Sequence, residues 1–546
     1  MAVSLSTCST VAAATTVALI LLANTVPTTE GANILIFIGF GGPSHKIAMM
    51  PYANGLVDEG HNVTFVAKEK PKEKDPKIHH YVPTELSNHF TKMGAAGTLI
   101  NLYDLRANPM KRIFVPWFRN GITVCEKLYE DAEFVIWLKS AKFDLVIVDA
   151  LFNECAYGIA HVLKAKTMMF SVSSVLPWSG EPLGLPDESS TIPDMMFQVP
   201  IQMNFFNRLV TAVTPIMWKY MRGLFYFPKL HKITKEGLGV EDFPCFADLE
   251  RNISLALINT HVAQEFPRSL PPNVVPVGGI SWVVKKKPLP KEMEDFINRG
   301  KEGFVYVSFG SFIDFLSFPP EVQQKFINAL LKFPNIQFIW KLSKTPDNLP
   351  KNFYVDKWLP QIDLLLHPKI RAFVTHSGIG GVNEAIYSAV PLICFPVIAE
   401  QDYNAQLIEQ KGIGIKMEIT DFTEDEMENA LHRILGDKRF SENMKRVAKQ
   451  FQDRPHTPLQ TGLWWTNFIL RQEDTDYIRP PSVNQSWWVK RQIDVWIFLI
   501  VFLISVNSLT IYIFVKLVKR CCFRGSSDAK KVSSGTKSKK GKAKLN

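Results

Sequence analysis

The chain has 546 residues, 46% of them hydrophobic and 21% charged, with a formal net charge of +10. That length is enough for two or three domains with complete cores. The charge does not make a nucleic-acid surface: from Lys516 to the end there are 11 Lys/Arg against one acid, Asp528, so the excess lies in the tail, and the 515 residues before it carry 51 cations and 51 anions.

In chain order, the first element is an apolar run, Val11 to Ala23, that ends in small residues. It reads as a secretory signal peptide over residues 1–31, cleaved between Ala23 and Ala32. "NILIFIGFG" (Asn33 to Gly41) is a short β-branched run with a glycine stop, the pattern of a buried parallel strand. A helical stretch from Ser44 and the strand "HNVTFVA" follow. "FDLVIVDA" (Phe143 to Ala150) is a second buried strand ending in Asp149, then a helix and "TMMFSV". This alternation predicts an α/β domain over 32–282, with its site at the carboxyl ends of the strands. His45 and Asp149 stand at such ends. Between Leu86 and Phe227 the chain is rich in Met, Phe and Trp, which suits an apolar pocket, a face resting on a membrane, or ordinary core.

The Gly/Pro/Lys-rich stretch Pro276 to Met293 reads as a linker, assigned to 283–302. The alternation then restarts with "GFVYVSFGS", "IQFIWKL", "RAFVTHSG" and "VPLICFPV", a second α/β domain over 303–455. A return and juxtamembrane segment, 456–494, leads to Val495–Val515, 21 residues without a charge. At 1.5 Å per residue this spans about 31 Å, one bilayer core. Trp487, Trp488 and Trp496 flank it on one side; Lys516, Lys519 and Arg520 flank it on the other. The positive-inside rule puts the tail, 516–546, in the cytosol and the body on the far side of the membrane. Lys542 and Lys544 in the terminal "KAKLN" resemble an endoplasmic-reticulum return signal.

Cys125, Cys155, Cys245 and Cys394 remain in the body without any CxxC pair, and spacing does not say which of them pair. Cys521 and Cys522 are juxtamembrane. Of three sequons, Asn252 and Asn484 are glycosylation candidates, while Asn62 falls within an apparent buried strand. "DTD" (Asp474 to Asp476) reads as a solvated loop rather than a metal site, and His79-His80 reads as surface.

"THSGIGGVNEA" (Thr375 to Ala385) is glycine-rich but lacks the Lys-Ser/Thr of a P-loop and breaks the dinucleotide pattern GxGxxG. It sits within a longer block, Trp358 to Gln401, in which Trp358, Pro360, Gln361, His367, His376, Gly378, Glu384, Pro391, Pro396, Glu400 and Gln401 fall at spaced positions. This block resembles the signature of the UDP-glycosyltransferase family, membrane-anchored animal type. The resemblance extends to "GGPSHKIAM", "FDLVIVDA", "VSFGS", the membrane span and the Lys-rich tail.

The resemblance implies two Rossmann-like domains facing across a cleft, and an inverting transfer of glucose or glucuronic acid from a UDP-sugar to small lipophilic acceptors. It implies that Trp358 stacks on uracil, Gln361 contributes to the uridine and Glu384 accepts from two ribose hydroxyls. His376, Gly378, Gly380, Gly381 and Ser311 would hold the diphosphate, and Glu400 and Gln401 the sugar. A helix start with free N–H groups binds phosphate without any lysine. His45 would be the general base and Asp149 the carboxylate that orients it. No metal or other cofactor is needed, the UDP-sugar being a co-substrate. Many family members carry Asn where this chain has Gly380, and Asn383 lies three residues further on. The other reading is a catalytically weak or silent member that binds hydrophobic ligands or partner transferases; a homo- or hetero-oligomer fits either. A nicotinamide oxidoreductase lacks its glycine fingerprint here.

Overall fold

The computed structural model describes residues 31–69, 76–95, 101–108, 117–281, 287–347 and 349–532. The expected signal peptide, the terminal dilysine and the end of the basic tail lie outside the described residues. Seven strands form the first sheet: β1 (Asn33–Ile38), β2 (Asn62–Ala67), β3 (His79–Tyr81), β4 (Leu145–Asp149), β5 (Lys166–Ser171), β6 (Leu255–Ile258) and β7 (Val274–Pro276). Their order is β3-β2-β1-β4-β5-β6-β7 and every pairing is parallel. The inner runs β1, β4 and β6 are short, apolar and buried on both faces, which suits strands between two helical layers. Asn62 is the exposed first residue of β2, where its amide donates to Asn33 Oδ1 at 3.2 Å. Helices α1 (Pro43–Asp58), α2 (Trp117–Glu130), α3 (Cys155–Val162), α4 (Phe205–Met221) and α5 (Phe227–Leu238) belong to this half. A single π-helical turn, Arg222–Tyr226, joins α4 to α5.

The second sheet has six strands: β8 (Phe304–Ser308), β9 (Gln337–Lys341), β10 (Phe353–Asp356), β11 (Ile370–Thr375), β12 (Leu392–Cys394) and β13 (Gly414–Lys416). The order is β10-β9-β8-β11-β12-β13, again all parallel. Alternate residues feed the two sides: Val305 and Val307 join one cluster, Phe304 and Tyr306 the other. Helices α6 (Ile379–Tyr387) and α7 (Gln401–Gln410) start at its strand ends. Part of the stretch read as linker is a helix, Lys291–Arg299, because Met293, Phe296 and Ile297 on one face bury into this core.

In both sheets the strand order reverses direction beside the first strand, between β1 and β4 and between β8 and β11. Loops diverge at such a point and leave a crevice at the carboxyl ends of the strands, where α/β proteins bind ligands. After the second domain the chain returns to the first. Helix α8 (Pro458–Arg471) lies on α1, with Leu463 and Ile469 in the first domain's core. The Tyr52 and Thr466 hydroxyls are hydrogen-bonded, and Lys166 Nζ donates to Ile469 O at 2.9 Å. Residues from Asn484 on form a separate compact unit. It is dominated by one helix, α9 (Ile493–Val532), whose part Ile493–Cys522 is long and apolar enough to cross a membrane.

Candidate active site

His45 enters in the first turn of α1, after β1, and Asp149 ends β4, so the pair straddles the first reversal point. His45 Nδ1 lies 2.8 Å from Asp149 Oδ2, both residues buried. The other carboxylate oxygen accepts from the Leu151 amide at 3.0 Å and from Asn153 Nδ2 at 3.1 Å. Asn153 also accepts from Phe40 N and donates to Phe40 O, at 2.7 and 2.8 Å, which stitches the loop after β1 to the loop after β4. Burial opposes protonation of His45, but the Asp149 charge and hydrogen bond, with Glu400 beyond, outweigh it and hold the imidazole pKa above its ordinary 6.5.

At the second reversal point His376 follows β11, with its ring between two glycines. A Cβ on Gly310 would fall 2.6 Å from His376 Cε1, and one on Gly378 would fall 2.5 Å from Nε2. Any side chain at either place would evict the imidazole. Desolvation pushes the His376 pKa down to about 4, and the Lys341 cation adds to the effect, so the ring is neutral at pH 7. Gly380 has nothing within 4 Å of an added Cβ, and Gly381 makes only ordinary contacts. The cap residue of α6, Gly378, has no side chain to bond the first-turn amides, which carry the positive end of the helix dipole. Asn383 is buried and donates to Asn259 O at 3.3 Å, away from this loop. Ser311 is half-buried in the turn after β8, one residue from the glycine against His376.

Trp358 is 52% exposed at the edge of the second sheet, an open platform with Lys341 Nζ 5.9 Å from its ring. Gln361 starts a short helix and donates from Nε2 to Glu384 Oε2, while accepting from Tyr306 Oη at 3.1 Å. Burial raises the Glu384 pKa to about 7 against the Gln361 hydrogen bond. Glu400 closes the loop before α7 and accepts weakly from Ile379 N, at 3.4 Å, in the first turn of α6. Gln401 is buried and its Oε1 accepts from the Val397 and Ile398 amides at 2.8 and 3.0 Å. Of the sequence-predicted donor residues, Gln361 is thus bonded to Glu384, His376 lies against Gly378, and Glu400 reaches the first turn of α6 and acts electrostatically on His45 of the first domain.

Phe152, Ser377 and Ala399 are non-glycine residues with φ of 56°, 68° and 56°, and each follows a strand that feeds the site. Asn404 Nδ2 donates to Ser377 O at 2.9 Å and holds one of these turns.

A cavity of about 1130 Å³ opens between α2, α4, α5 and the loop before Glu400. Phe118, Met196, Phe197, Met217 and Trp218 line it from the first domain, Ile398 and Ala399 from the second. Part of the Met-, Phe- and Trp-rich stretch thus lines a cavity, whose wall also carries Arg119, Glu126, Lys127, Lys229, Lys232 and Glu236. The outer face of α4 is apolar too: Phe205, Phe206, Leu209, Val210 and Val213 are exposed. The cavity wall is tied to the Asp149 loop. Cys125 of α2 is disulfide-bonded to Cys155 of α3, the pairing that spacing had left open. Tyr226 lines the cavity and donates to Glu154 at 2.6 Å, and the same carboxylate takes Arg222 at 2.9 Å.

Sequence reading missed Asn153, Asn404 and Lys341. Lys341 ends β9 at the strand end facing the site and donates to Gly310 O at 2.7 Å; its place after "IQFIW" was the available signal. Asn252 and Asn484 are both exposed. Among the described residues no group of three or more His, Cys, Asp or Glu is arranged to hold a metal.

Residues 41–531 match the family described as "UDP-glucoronosyl and UDP-glucosyl transferase". UDP-glucosyltransferase 2 of Dactylopius coccus is 29% identical, over 87% of this chain and 91% of its own length. UDP-glucuronosyltransferase 1A8 of Rattus norvegicus is 31% identical, over 92% and 94%. Among solved structures, the spinosyn forosaminyltransferase SpnP superposes with a TM-score of 0.53 at 16% identity, over 81% of this chain and all of that one. Phytolacca americana UGT2, complexed with UDP-2fluoro-glucose and pterostilbene, gives 0.53 at 17% identity over 81% and 99%. The structural likenesses carry the two-domain fold, and the match across nearly the whole sequence carries the family: this chain belongs to the UDP-glucuronosyl and UDP-glucosyl transferases and is a UDP-glycosyltransferase.

Proposed function

We propose that the protein transfers glucuronic acid or glucose from a UDP-sugar to small lipophilic acceptors, with inversion at the anomeric carbon. The observation that carries this reading is the buried His45–Asp149 pair, set within the electrostatic reach of Glu400 on the donor face. Asp149 occupies Nδ1 and leaves Nε2 as the base. An acceptor hydroxyl gives its proton to Nε2, its oxygen bonds to the anomeric carbon, and the bond to the UDP oxygen breaks on the opposite side. Asp149 then stabilises the imidazolium. The departing diphosphate meets the first-turn amides of α6, neutral His376 and the Lys341 cation. Trp358, Gln361 and Glu384 take the uridine, Ser311, Gly378, Gly380 and Gly381 border the phosphates, and Glu400 and Gln401 take the sugar hydroxyls.

The acceptor occupies the cavity under Phe118 and Trp218, whose apolar wall supports a lipophilic class. The α9 span and the exposed face of α4 fit an enzyme working at a bilayer. The signal peptide, span and basic tail favour a single-pass endoplasmic-reticulum protein with a lumenal body, cytosolic tail and glycans at Asn252 and Asn484. The test is transfer of radiolabel from UDP-glucose and UDP-glucuronate to a panel of phenols by microsomes bearing the wild type or His45→Ala. We expect one donor to be used by the wild type and neither by the variant. No transfer by the wild type with either donor would overturn the reading, and protease attack on the body in sealed microsomes would overturn the topology.

A further inference from the structure

We propose that Arg106 is a positioning residue for the donor sugar: it reaches from a segment of the first domain's sequence and fixes the first turn of α7, next to Glu400 and Gln401. The inference rests on reading that turn as the sugar end of the UDP-sugar site. Arg106 lies on a short helix, Leu102–Ala107, whose cap Asn101 accepts from the Asp104 amide at 3.0 Å. Leu102 and Tyr103 pack against the core of the second domain, and the Tyr103 ring stands 5.8 Å from Phe318.

The Arg106 guanidinium is buried there between two carboxylates. Nη1 and Nη2 grip Asp402 as a fork, the second at 2.9 Å, while Nε donates to Glu418 at 2.8 Å and Nη2 reaches the other Glu418 oxygen. Asp402 is itself buried and takes a second cation, Lys416 Nζ, at 3.3 Å. A planar fork fixes the direction of a carboxylate as well as its distance, which a point charge does not do. Asp402 follows Gln401 directly, and Gln401 is bonded to the backbone of the 397–398 loop. The carboxylate, the helix start and the loop bearing Glu400 therefore move as one body. The uridine end stands on other elements, the 358–361 turn and α6, and Asn404 ties the loop after β11 to α7 by its own bond.

The test uses full-length protein in microsomes carrying Arg106→Leu, Arg106→Lys or the double change Arg106→Leu/Asp402→Leu. The double variant removes the carboxylate that the single change strands in the interior and so guards against misfolding. Binding of UDP is measured beside KM for UDP-glucose and UDP-glucuronate. We expect KM for the preferred UDP-sugar to rise about tenfold in the leucine variants, with UDP affinity held within about twofold and Arg106→Lys in between. Parallel weakening of UDP and UDP-sugar, or no change in either, in the double variant overturns the proposal. A wild type that binds neither ligand overturns the donor-site reading and the inference with it, and is recognised because it needs no substitution.

Discussion

At the scale of single residues, the raised His45 pKa sets a pH profile. The base works as neutral imidazole, so kcat/KM rises with pH through a value above 6.5, and the limb belongs to His45. Asp149→Asn removes the charge that raises this pKa and leaves the desolvation that lowers it. The limb should move below 6.5 while the rate above it falls, by about a thousandfold if the histidine loses its orientation. Initial rates from pH 5 to 9 check both. Gly380 makes a second case. It sits in the first turn of a helix with open space where a side chain would go, so no steric demand keeps it glycine. Gly380→Asn should restore a side-chain donor to the phosphates and tighten UDP binding about two- to tenfold, a net 0.5–1.5 kcal/mol, as measured by calorimetry. By contrast Gly378→Ala should abolish transfer, because the new methyl takes the place of the His376 ring.

At the scale of elements, the helices that line the cavity are fastened to the loop that holds Asp149. The Cys125–Cys155 bridge closes a separation of 30 residues between α2 and the start of α3. Loop-closure entropy gives such a bridge about 3–4 kcal/mol of stabilisation. Replacing both cysteines by serine should lower denaturant resistance by that amount, and kcat should fall with it because Glu154 and Asn153 lie in the same turn. A chemical denaturation curve on the detergent-solubilised chain measures the first effect. The π-helical turn between α4 and α5 is fastened to the same loop: Arg222 and Tyr226, at its two ends, both bond Glu154, and Arg222 donates onward to Glu250 at 2.7 Å.

For the whole molecule, chain order and packing order diverge. The segment after the second domain returns to cover the first, and α8 fills the groove above α1 where Gly55 gives room for Leu463. Leu463→Ala leaves a cavity in that seam and should cost about 2–4 kcal/mol. Thermal unfolding should show the loss, while KM for the donor, set in the other domain, stays unchanged. The short helix 102–107 does the reverse, leaving the first domain's sequence to pack on the second core. Between them these crossings join two sheets that local sequence alone would leave independent.

The sequence by itself determined the two parallel sheets and the apolar C-terminal helix, and it set apart the block read as the donor site. Short β-branched runs between helices have few other ways to be buried, 21 uncharged residues have few places to go but a bilayer, and the expected donor residues other than Ser311 fall within 44 contiguous positions. His45 and Asp149 were legible because one follows the end of β1 and the other closes β4, and the carboxyl ends of strands are where such sheets bind. Tertiary structure alone decided the rest. Cys125 could be matched to Cys155 only when α2 was laid beside α3. Lys341 gained a role only when β9 was placed next to β8 and put its ammonium near His376. Arg106 and Asp402 lie 296 residues apart, and no local pattern predicts that a cation from one domain will neutralise a carboxylate buried in the other. Helix and strand signals are local in sequence, whereas the desolvation and pairing of charges depend on which surfaces the fold brings face to face.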